Sequence, residues 1–254
     1  MVEKIKEVTM KGMILAGGTG SRLFPLTKTT NKHLLPVYDK QMICYPLETL
    51  QKSGIRDILI ISGPGHAGQF LELLKSGYDM GLDIKYTIQE KPMGIAHAIW
   101  VATREFAKNE DIVVILGDNI FEDTISEDIK TFKGGAKIFL KKVRDPEGFG
   151  IAEVKNGKIV NIVEKPKTPI SNLAVVGLYI YDKHVYHYID KIPASERGEI
   201  EITDLNNIYL KKGELDFREL KGYWLDAGTF EGLFRSSVFI RNVRLKEAKQ
   251  LKRL

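Results

Sequence analysis

Short apolar runs alternate with amphipathic stretches through the first half of the chain. Each run is followed by a glycine or a polar residue, and the runs lie at 12–16, 58–62, 84–88 and 112–116. The stretches between them have apolar residues at helical spacing, and they lie at 41–53, 66–76 and 94–107. Strands and helices that alternate with short connections are typical of βαβ units, with helices on both faces of a mostly parallel sheet. The first half therefore predicts an α/β fold.

The second half is richer in closely spaced β patterns. Its predicted strands lie at 136–143, 150–154, 158–163, 174–181 and 215–220. Asn156 and Gly157 stand between two of these strands, and Asn-Gly between β-rich runs is the strongest short hairpin signal. A helix is expected over about 229–254. No repeat or linker marks a boundary, so 1–254 is expected to be a single domain with halves at about 11–135 and 136–230.

Composition narrows the class of protein. The chain has 254 residues, of which 43% are hydrophobic and 28% charged, as in ordinary globular proteins. No apolar run approaches the roughly 20 residues of a membrane span, and the first ten residues lack the apolar core of a secretory signal. Cys44 is the only cysteine, which excludes an intrachain disulfide and a cysteine-based zinc site. We expect a soluble, cytoplasmic protein.

The chain has a net charge of +5, which is compatible with nucleic acid or anionic lipid as a partner. Part of the excess lies near the C-terminus, at Arg241, Arg244, Lys246, Lys249, Lys252 and Arg253. A basic stripe attracts nucleic acid or anionic lipid, but this one lacks the interleaved aromatic residues that bind single strands. We expect instead the solvated face of a terminal helix, whose apolar side carries Leu233, Phe234, Val238 and Leu245. The charge therefore predicts neither a nucleic-acid nor a membrane partner.

A glycine cluster follows the first predicted strand, at 17–20. Glycines let the backbone approach a phosphate, and the carboxyl ends of parallel strands are where open α/β sheets bind ligands. The cluster matches neither the P-loop nor the dinucleotide fingerprint. Arg22 and Lys32 follow, and a guanidinium grips two phosphate oxygens while an ammonium acts as a point charge. A tight turn with solvated cations is the alternative, but the combination favours triphosphate recognition.

Two aspartates are candidate metal ligands. Asp118 follows the apolar run 112–116 directly, and Asp226 lies far away in the sequence, within 224–229. Carboxylates combined with phosphate oxygens suit Mg²⁺. Each aspartate also suits the N-cap of a helix. A metal site requires the two side chains to converge in space, which is the central structural expectation.

Nine stretches in a fixed order identify the chain as similar to a known family. They are LAGGTGSRLFPLT, NKHLLPVYDKQMICYPLETL, QEKPMGIAHA, LGDNIFED, VRDPEGFGIAEV, IVEKP, AVVGLYIYD, RGEIEITDLNNIYL and WLDAGTF. Together they span residues 12 to about 230, nearly the whole chain. The chain thus resembles the sugar-1-phosphate nucleotidylyltransferases, and most closely the members of short form that use dTTP and glucose 1-phosphate.

The resemblance implies a fold, a reaction and partners. It implies a Rossmann-like nucleotide half, a β-rich sugar-binding half, and transfer of a nucleotidyl group with release of pyrophosphate. It also implies Mg²⁺ as the cofactor and a homo-oligomer. The catalytic residues implied are Arg22, Lys32, Asp118, Lys165 and Asp226, of which Asp118 and Asp226 hold the metal. The nucleotide-binding residues implied are Leu15, Gly17, Gly18, Gly20, Gln89, Gly94 and Asp118. The sugar-phosphate-binding residues implied are Gly150, Glu164, Lys165, Val175 and Arg197.

Some positions depart from the family pattern and leave alternatives open. His33 stands where glutamine is usual, and Phe149 stands where tyrosine is usual. These changes leave open a UTP-dependent enzyme or another hexose 1-phosphate. A glycosyltransferase shares this type of fold, but the Asp-x-Asp metal motif that it relies on is absent from the sequence. A non-catalytic relative that binds nucleotide or sugar is the remaining alternative, although the charged residues Arg22, Lys32 and both aspartates are retained.

Overall fold

The computed structural model describes residues 10–103 and 106–251. Expectations that fall on 1–9, 104–105 and 252–254 lie outside the described residues; they concern the chain start, the end of the 94–107 helix, Lys252 and Arg253. The helices described are α1 (Cys44–Lys52), α2 (Ala67–Leu74), α3 (Ile95–Thr103), α4 (Ser126–Thr131), α5 (Val185–Ile189), α6 (Ile202–Lys212) and α7 (Phe230–Leu251). The strands described are β1 (Lys11–Ala16), β2 (Pro36–Val37), β3 (Lys40–Gln41), β4 (Asp57–Ser62), β5 (Asp83–Ile88), β6 (Ile112–Leu116), β7 (Asn119–Phe121), β8 (Ala136–Lys142), β9 (Gly150–Lys155), β10 (Lys158–Glu164), β11 (Leu173–Tyr181), β12 (Leu215–Glu219) and β13 (Trp224–Asp226).

A nine-stranded mixed sheet organises the chain. Its main path runs in the order β10-β9-β11-β6-β1-β4-β5, and β8 joins it by pairing with β11 and β12. The neighbours β5, β4, β1 and β6 are all parallel. Strand β11 runs antiparallel to β6 and connects the β-rich second half to this parallel core. The fold is therefore the α/β fold with a Rossmann-like core that the sequence predicted, and strands from both halves share one sheet.

The parallel core is covered on both faces, which explains why its inner strands β1, β4 and β6 are almost continuously apolar. Successive residues alternate between two hydrophobic clusters, since side chains of a strand point to opposite faces. Met13 packs in a cluster with residues of α3, α5 and α6, whereas Ile14 packs in a second cluster with residues of α1 and α2. Both residues are fully buried. The helices thus hold the carboxyl ends of the core strands in fixed positions.

The Asn-Gly hairpin forms where the sequence predicted it. Strands β9 and β10 pair antiparallel, and Asn156 and Gly157 occupy the turn with φ angles of 50° and 72°. Two consecutive residues with positive φ are what the hairpin turn of this kind requires. Strand β10 is the outermost strand on this end of the sheet's main path.

The burial of α7 differs from the expectation. We expected Leu233, Phe234, Val238 and Leu245 to form its buried side, but Phe234 is 66% exposed, and Val238 and Leu245 are also exposed. The fully buried residues of α7 are instead Ser236 and Ile240. The sequence misled because α7 carries apolar residues on two sides, and only one side faces the body of the protein. Within the described helices, none is long and apolar enough to cross a membrane.

Candidate active site

The predicted nucleotide-binding residues gather at the carboxyl edge of the parallel core. The glycine loop follows β1, Gln89 follows β5, and Asp118 comes two residues after the end of β6. They surround a cavity of about 320 Å³. The residues that line it are Leu15, Gly17, Gly18, Arg22, Lys32, His33, Gln89, Pro92, Gly94, Ile95, Leu116, Asp118 and Glu199. A larger groove, of about 700 Å³, lies between β10 and α6, and none of the predicted site residues lines it.

Gly20 has a different position from the other predicted nucleotide-binding residues. It does not line the cavity, and its φ of 64° places it in the left-handed region. A methyl group added at Gly20 would lie 2.8 Å from Cγ2 of Thr27, whose hydroxyl donates to the Gly20 carbonyl at 2.9 Å. Gly20 therefore shapes the turn that leads to Arg22.

Lys32 and Asp118 form an ion pair at the floor of the cavity. Lys32 Nζ donates to Asp118 Oδ2 at 2.5 Å, and the side chain of Asn119 donates to Asp118 Oδ1 at 3.0 Å. Burial alone would raise the pKa of the Asp118 carboxyl, but the charge of Lys32 and these hydrogen bonds lower it below its usual range. Asp118 is therefore ionised in the folded protein and can bind a cation.

Asp226 reaches the same place from the other end of the chain. Strand β13 pairs antiparallel with β7 and sets Asp226 opposite Asn119. A methyl group added at Gly228 would lie 2.8 Å from Asp118 Oδ2, 3.0 Å from Asp226 Oδ1 and 3.2 Å from Arg22 Nη2. Burial and the nearby charge of Asp118 raise the pKa of Asp226. The expected convergence of the two aspartates is thus present, with the Arg22 guanidinium beside them.

The donor set at this point fits a hard divalent cation. Two carboxylates converge, and Mg²⁺ is commonly bound by one or two carboxylates together with phosphate oxygens and waters. The pKa of Asp226 is raised by burial and by the nearby carboxylate of Asp118, and a bound cation would offset the second cause. No group of three or more His, Cys, Asp or Glu side chains with metal-binding geometry occurs among the described residues. The site would therefore need oxygen ligands from a substrate to complete a metal's coordination.

Asn31 and His33, the two neighbours of Lys32 in the chain, fix the position of the turn that carries Lys32. Asn31 is buried, its amide nitrogen donates to the carbonyl of Ala16 at 3.1 Å, and its oxygen accepts from the backbone nitrogen of His33 at 2.9 Å. Burial, with a smaller contribution from the charge of Lys32, lowers the pKa of His33 to about 3. His33 is therefore neutral at physiological pH, and the pair fastens the Lys32 turn to the end of β1.

The predicted sugar-binding residues form a second cluster. A methyl group added at Gly150 would lie 3.0 Å from Thr203 Oγ1, 3.3 Å from Glu164 Oε2 and 3.9 Å from Val175 Cβ. The Thr203 hydroxyl donates to Glu164 Oε2 at 2.5 Å. Gly150 thus leaves open a small space that is bounded by a carboxylate, a hydroxyl and an apolar side chain. Such a space suits a polyhydroxy ligand.

Two cations flank this cluster. Lys165 Nζ lies 3.7 Å and Arg197 Nη2 lies 3.6 Å from Glu164 Oε1. Both side chains are exposed, so an anionic ligand in solvent can reach them. Lys165 has a φ of 40°, an uncommon conformation for a residue other than glycine, and its backbone nitrogen donates to the Phe149 carbonyl at 3.1 Å. Strained backbone that neighbouring structure holds in place is frequent at functional sites.

The two clusters adjoin each other. Glu199 lines the nucleotide cavity, and its carboxylate lies 4.0 Å from Nη2 of Arg197. On another side, the ring of Phe149 packs edge-on against Trp224, whose indole nitrogen donates to Asn119 Oδ1 at 2.7 Å. The two clusters are therefore neighbours that side-chain contacts connect on two sides.

Several residues of the site were not predicted to function. Asn119 orients Asp118, Asn31 holds the Lys32 turn, and Thr203 binds Glu164. Glu201 lies directly before α6, and each oxygen of its carboxylate accepts from Nη2 of Arg197 at 2.9 Å. Asn31 and Asn119 could have been found from the sequence, because each stands directly beside a predicted site residue. No local signal marks Thr203, which approaches Glu164 only through the fold.

This fold and site define a class of protein that comparisons with known proteins identify. The model of the nucleotidyl transferase family matches residues 11–243, and the chain belongs to that family. The chain is 45% identical over 249 residues to a glucose-1-phosphate thymidylyltransferase of Xanthomonas campestris, covering 95% of this chain and 84% of that protein. A protein of the same name from Neisseria meningitidis is 44% identical over 242 residues, covering 92% of this chain and 84% of the other.

Solved structures agree with this assignment. A crystal structure from Bacillus anthracis, provisionally described as a glucose-1-phosphate thymidylyltransferase in complex with sucrose, has a TM-score of 0.87 and 49% sequence identity. The match covers 91% of this chain and 95% of that one. A UDP-glucose pyrophosphorylase in complex with UDP-glucose has a TM-score of 0.81 at 25% identity, covering 94% of this chain and 99% of that one.

Proposed function

We propose that the protein transfers a thymidylyl group from dTTP to glucose 1-phosphate, which gives dTDP-glucose and pyrophosphate. The observation that carries this proposal is the meeting of Arg22, Lys32, Asp118 and Asp226 between a nucleotide-sized cavity and a second cluster of polar and cationic groups. The relatives from Xanthomonas campestris and Neisseria meningitidis, which are named for this reaction, support the choice of substrates.

The reaction depends more on stabilising the negative charge of the phosphate groups than on proton transfer. A sugar 1-phosphate is a dianion near neutral pH, so no general base has to create the nucleophile. A phosphate oxygen of the sugar attacks the α-phosphorus of the triphosphate, and the bond from that phosphorus to the pyrophosphate oxygen breaks as the new bond forms. Reactions of this type are catalysed mainly by positioning and electrostatics.

The cations near the cavity have distinct roles in this proposal. Arg22 binds the triphosphate and stabilises the charge that develops on the leaving pyrophosphate. Lys32 exchanges its contact with Asp118 for the α-phosphate when the substrate binds. Asp118 and Asp226 would hold Mg²⁺, which when bound supplies Lewis-acid stabilisation of the phosphate oxygens.

The nucleoside and the sugar phosphate occupy separate parts of the site. Leu15, Gly17, Gly18 and Gly94 surround the base and its pentose, and Gln89 reads the edge of the base. Gly150, Glu164 and Val175 face the hexose. Lys165 and Arg197 bind its phosphate and orient the attacking oxygen.

A UTP-dependent reaction is the second candidate, and the likeness to a UDP-glucose pyrophosphorylase favours it. The test is pyrophosphate release from dTTP, UTP, dCTP and dATP, each with a panel of hexose 1-phosphates and Mg²⁺. We expect the highest kcat/KM with dTTP and glucose 1-phosphate. Release that is equally fast with UTP would favour the second candidate, and no release with any pair would refute nucleotidyl transfer.

The role of Arg22 has its own test. We expect Arg22→Ala to lower kcat by about 10²–10³-fold, the usual loss when one preorganised donor to a developing charge is removed. The matched control is Arg235→Ala on the exposed side of α7, where Arg235 pairs with Glu231 at 2.5 Å. Both variants should melt at nearly the wild-type temperature. Near-normal pyrophosphate release by Arg22→Ala would contradict the role assigned to Arg22.

The expected cytoplasmic location follows from these substrates, because nucleoside triphosphates are made and used there, and it forms part of this proposal. The expected homo-oligomer stays a prediction, and so does the division of the chain near residue 135.

A further inference from the structure

The side-chain amide of Gln89 is held by two neighbours in the wall of the cavity. Gln89 is buried, and its backbone nitrogen donates to the Ser62 carbonyl at 2.8 Å, which fixes the residue at the end of β5. Its Nε2 lies 3.1 Å from the carbonyl oxygen of Gly94 and 2.9 Å from Nδ1 of His97. Both hydrogens of the amide group are therefore engaged by these two neighbours.

The Gly94 carbonyl identifies which end of the Gln89 amide is the NH₂ group. A carbonyl oxygen only accepts hydrogen bonds, so the group that faces it must be the NH₂ of Gln89. The same NH₂ faces His97, so Nδ1 of His97 must be the unprotonated acceptor and the histidine is neutral. Burial lowers the pKa of His97, in keeping with the neutral form. The orientation of Gln89 thus depends on one acceptor from the backbone and one from His97.

The oxygen of the amide is left facing the cavity. Gln89 Oε1 lies 3.1 Å from the point where a methyl group on Gly17 would be, and both residues line the cavity. The His97 ring is itself kept in place by stacking on Trp100, with centroids 6.0 Å apart and planes inclined by 24°. The cavity wall therefore presents an acceptor at this position and no amide donor.

The geometry points to His97 as a positioning residue for base selection. By accepting from Gln89, His97 keeps Oε1 turned towards the base, so the site favours a pyrimidine whose N3 carries a hydrogen. Thymine and uracil have this N–H donor, whereas N3 of cytosine is an acceptor and would face the Gln89 oxygen. When a mismatched ligand would leave buried polar groups of a site without partners, the site discriminates strongly against that ligand. This inference rests on the proposed function, since it concerns the nucleotide of that reaction.

The same reasoning predicts no discrimination between dTTP and UTP at Gln89. The two bases share the N3 hydrogen and the C4 carbonyl, and they differ at C5. The informative comparison is therefore dTTP against dCTP, which also share the deoxyribose and the triphosphate.

The test measures kcat/KM for dTTP and dCTP with the full-length enzyme and its His97 variants. His97→Phe retains a ring against Trp100 but removes the acceptor, and His97→Gln restores an acceptor to Gln89. We expect the wild type to prefer dTTP, and His97→Phe to lower the dTTP/dCTP ratio by roughly tenfold through loss of one partly buried hydrogen bond. His97→Gln should retain most of the ratio. The exposed His187→Phe, on α5 and outside the cavity, serves as the control, and its ratio should be that of the wild type.

Calorimetric binding of dTMP and dCMP to the same variants gives a readout that is independent of turnover. The same loss of preference for dTMP is expected in His97→Phe. An unchanged ratio in His97→Phe would overturn the inference, and so would a His97→Gln variant that loses as much as His97→Phe. If His97→Phe does not fold, His97→Leu takes its place in the same comparison. A wild type that releases pyrophosphate equally from dTTP and dCTP would refute base selection at Gln89 while leaving nucleotidyl transfer intact.

Discussion

Asn31 shows how a single buried side chain can determine the position of a catalytic group. Its amide links the end of β1, through the Ala16 carbonyl, to the backbone and ring of His33. We expect Asn31→Ala to lower the free energy of unfolding by roughly 1–3 kcal/mol, since it leaves buried donors and acceptors without partners. It should also lower kcat, because the Lys32 turn loses its attachment. Urea unfolding and pyrophosphate release measure the two effects.

Asn207→Ala is the matched control for Asn31→Ala. Asn207 donates one hydrogen bond, to the Ile162 carbonyl at 3.1 Å, in a partly buried position away from the nucleotide cavity. It should cost less stability and leave kcat unchanged. The positioning role of Asn31 would be wrong if Asn31→Ala unfolded at the same urea concentration as Asn207→Ala with a normal kcat.

At the scale of residues, the charged site residues and their motifs could be predicted from the sequence. The partners that their side chains have in the fold could not. Arg22, Lys32 and Asp118 carry their chemistry in their side chains and stand beside recognisable strand ends. The importance of Asn31 lies in its partners, because the same residue in an open loop would bind only water. The departure at His33 acquires its meaning in the same way, from the oxygen of Asn31 that its ring contacts at 2.7 Å.

At the scale of elements, the hairpin between β9 and β10 is where sequence and structure correspond most directly. Asn156 and Gly157 both have positive φ, and a left-handed conformation costs a residue with a Cβ roughly 1–2 kcal/mol. We expect Gly157→Val to lower the free energy of unfolding by about that amount, as measured by urea unfolding. Asn156→Gly should be nearly neutral, since glycine adopts this conformation freely. Equal stability of Gly157→Val and the wild type would contradict this account of the turn.

The ends of the elements were less predictable than their type. The helix predicted over 66–76 is α2 (Ala67–Leu74), because the chain leaves the helical conformation at Lys75, where φ is 51°. Nothing in the type of residue marks that position, since lysine is a good helix former. The short strands β7 and β13 were not predicted, and each has only three residues. Their pairing brings Asp226 opposite Asn119, so the most important contact of the site depends on elements too short to leave a pattern.

At the scale of the whole molecule, the site exists because residues more than a hundred positions apart meet at one edge of the sheet. The parallel core could be predicted from alternating apolar runs, and it places the ends of β1, β5 and β6 together. The place of β12 beside β8 and the return of the chain to β7 could not, because pairing between distant strands depends on the completed fold. The convergence of Asp118 and Asp226 was therefore a hypothesis from the sequence and an observation in the structure.

The convergence of Asp118 and Asp226 opposes folding when no metal ion is bound. Burial and the charge of Asp118 raise the pKa of Asp226, so its ionised form is disfavoured in the folded protein at neutral pH. We expect Asp226→Asn, assayed with a chelator, to unfold at a higher urea concentration than the wild type at pH 7. The asparagine keeps an oxygen that can accept from the Gly228 nitrogen, as Asp226 does at 2.8 Å.

The stability difference should depend on pH with a definite sign. Since the folded-state pKa of Asp226 is raised, the protonated carboxyl is compatible with the fold. The advantage of asparagine should therefore shrink as the pH falls through this raised pKa, and it should be absent below about 4, the usual pKa of aspartate. Activity should move in the opposite direction, because Asp226→Asn removes a proposed ligand for Mg²⁺, and pyrophosphate release should fall sharply at pH 7. Asp79→Asn, at an exposed position, should change neither property. A variant that is less stable than the wild type in chelator, or one that keeps normal turnover, would show that the two carboxylates do not form a site that trades stability for catalysis.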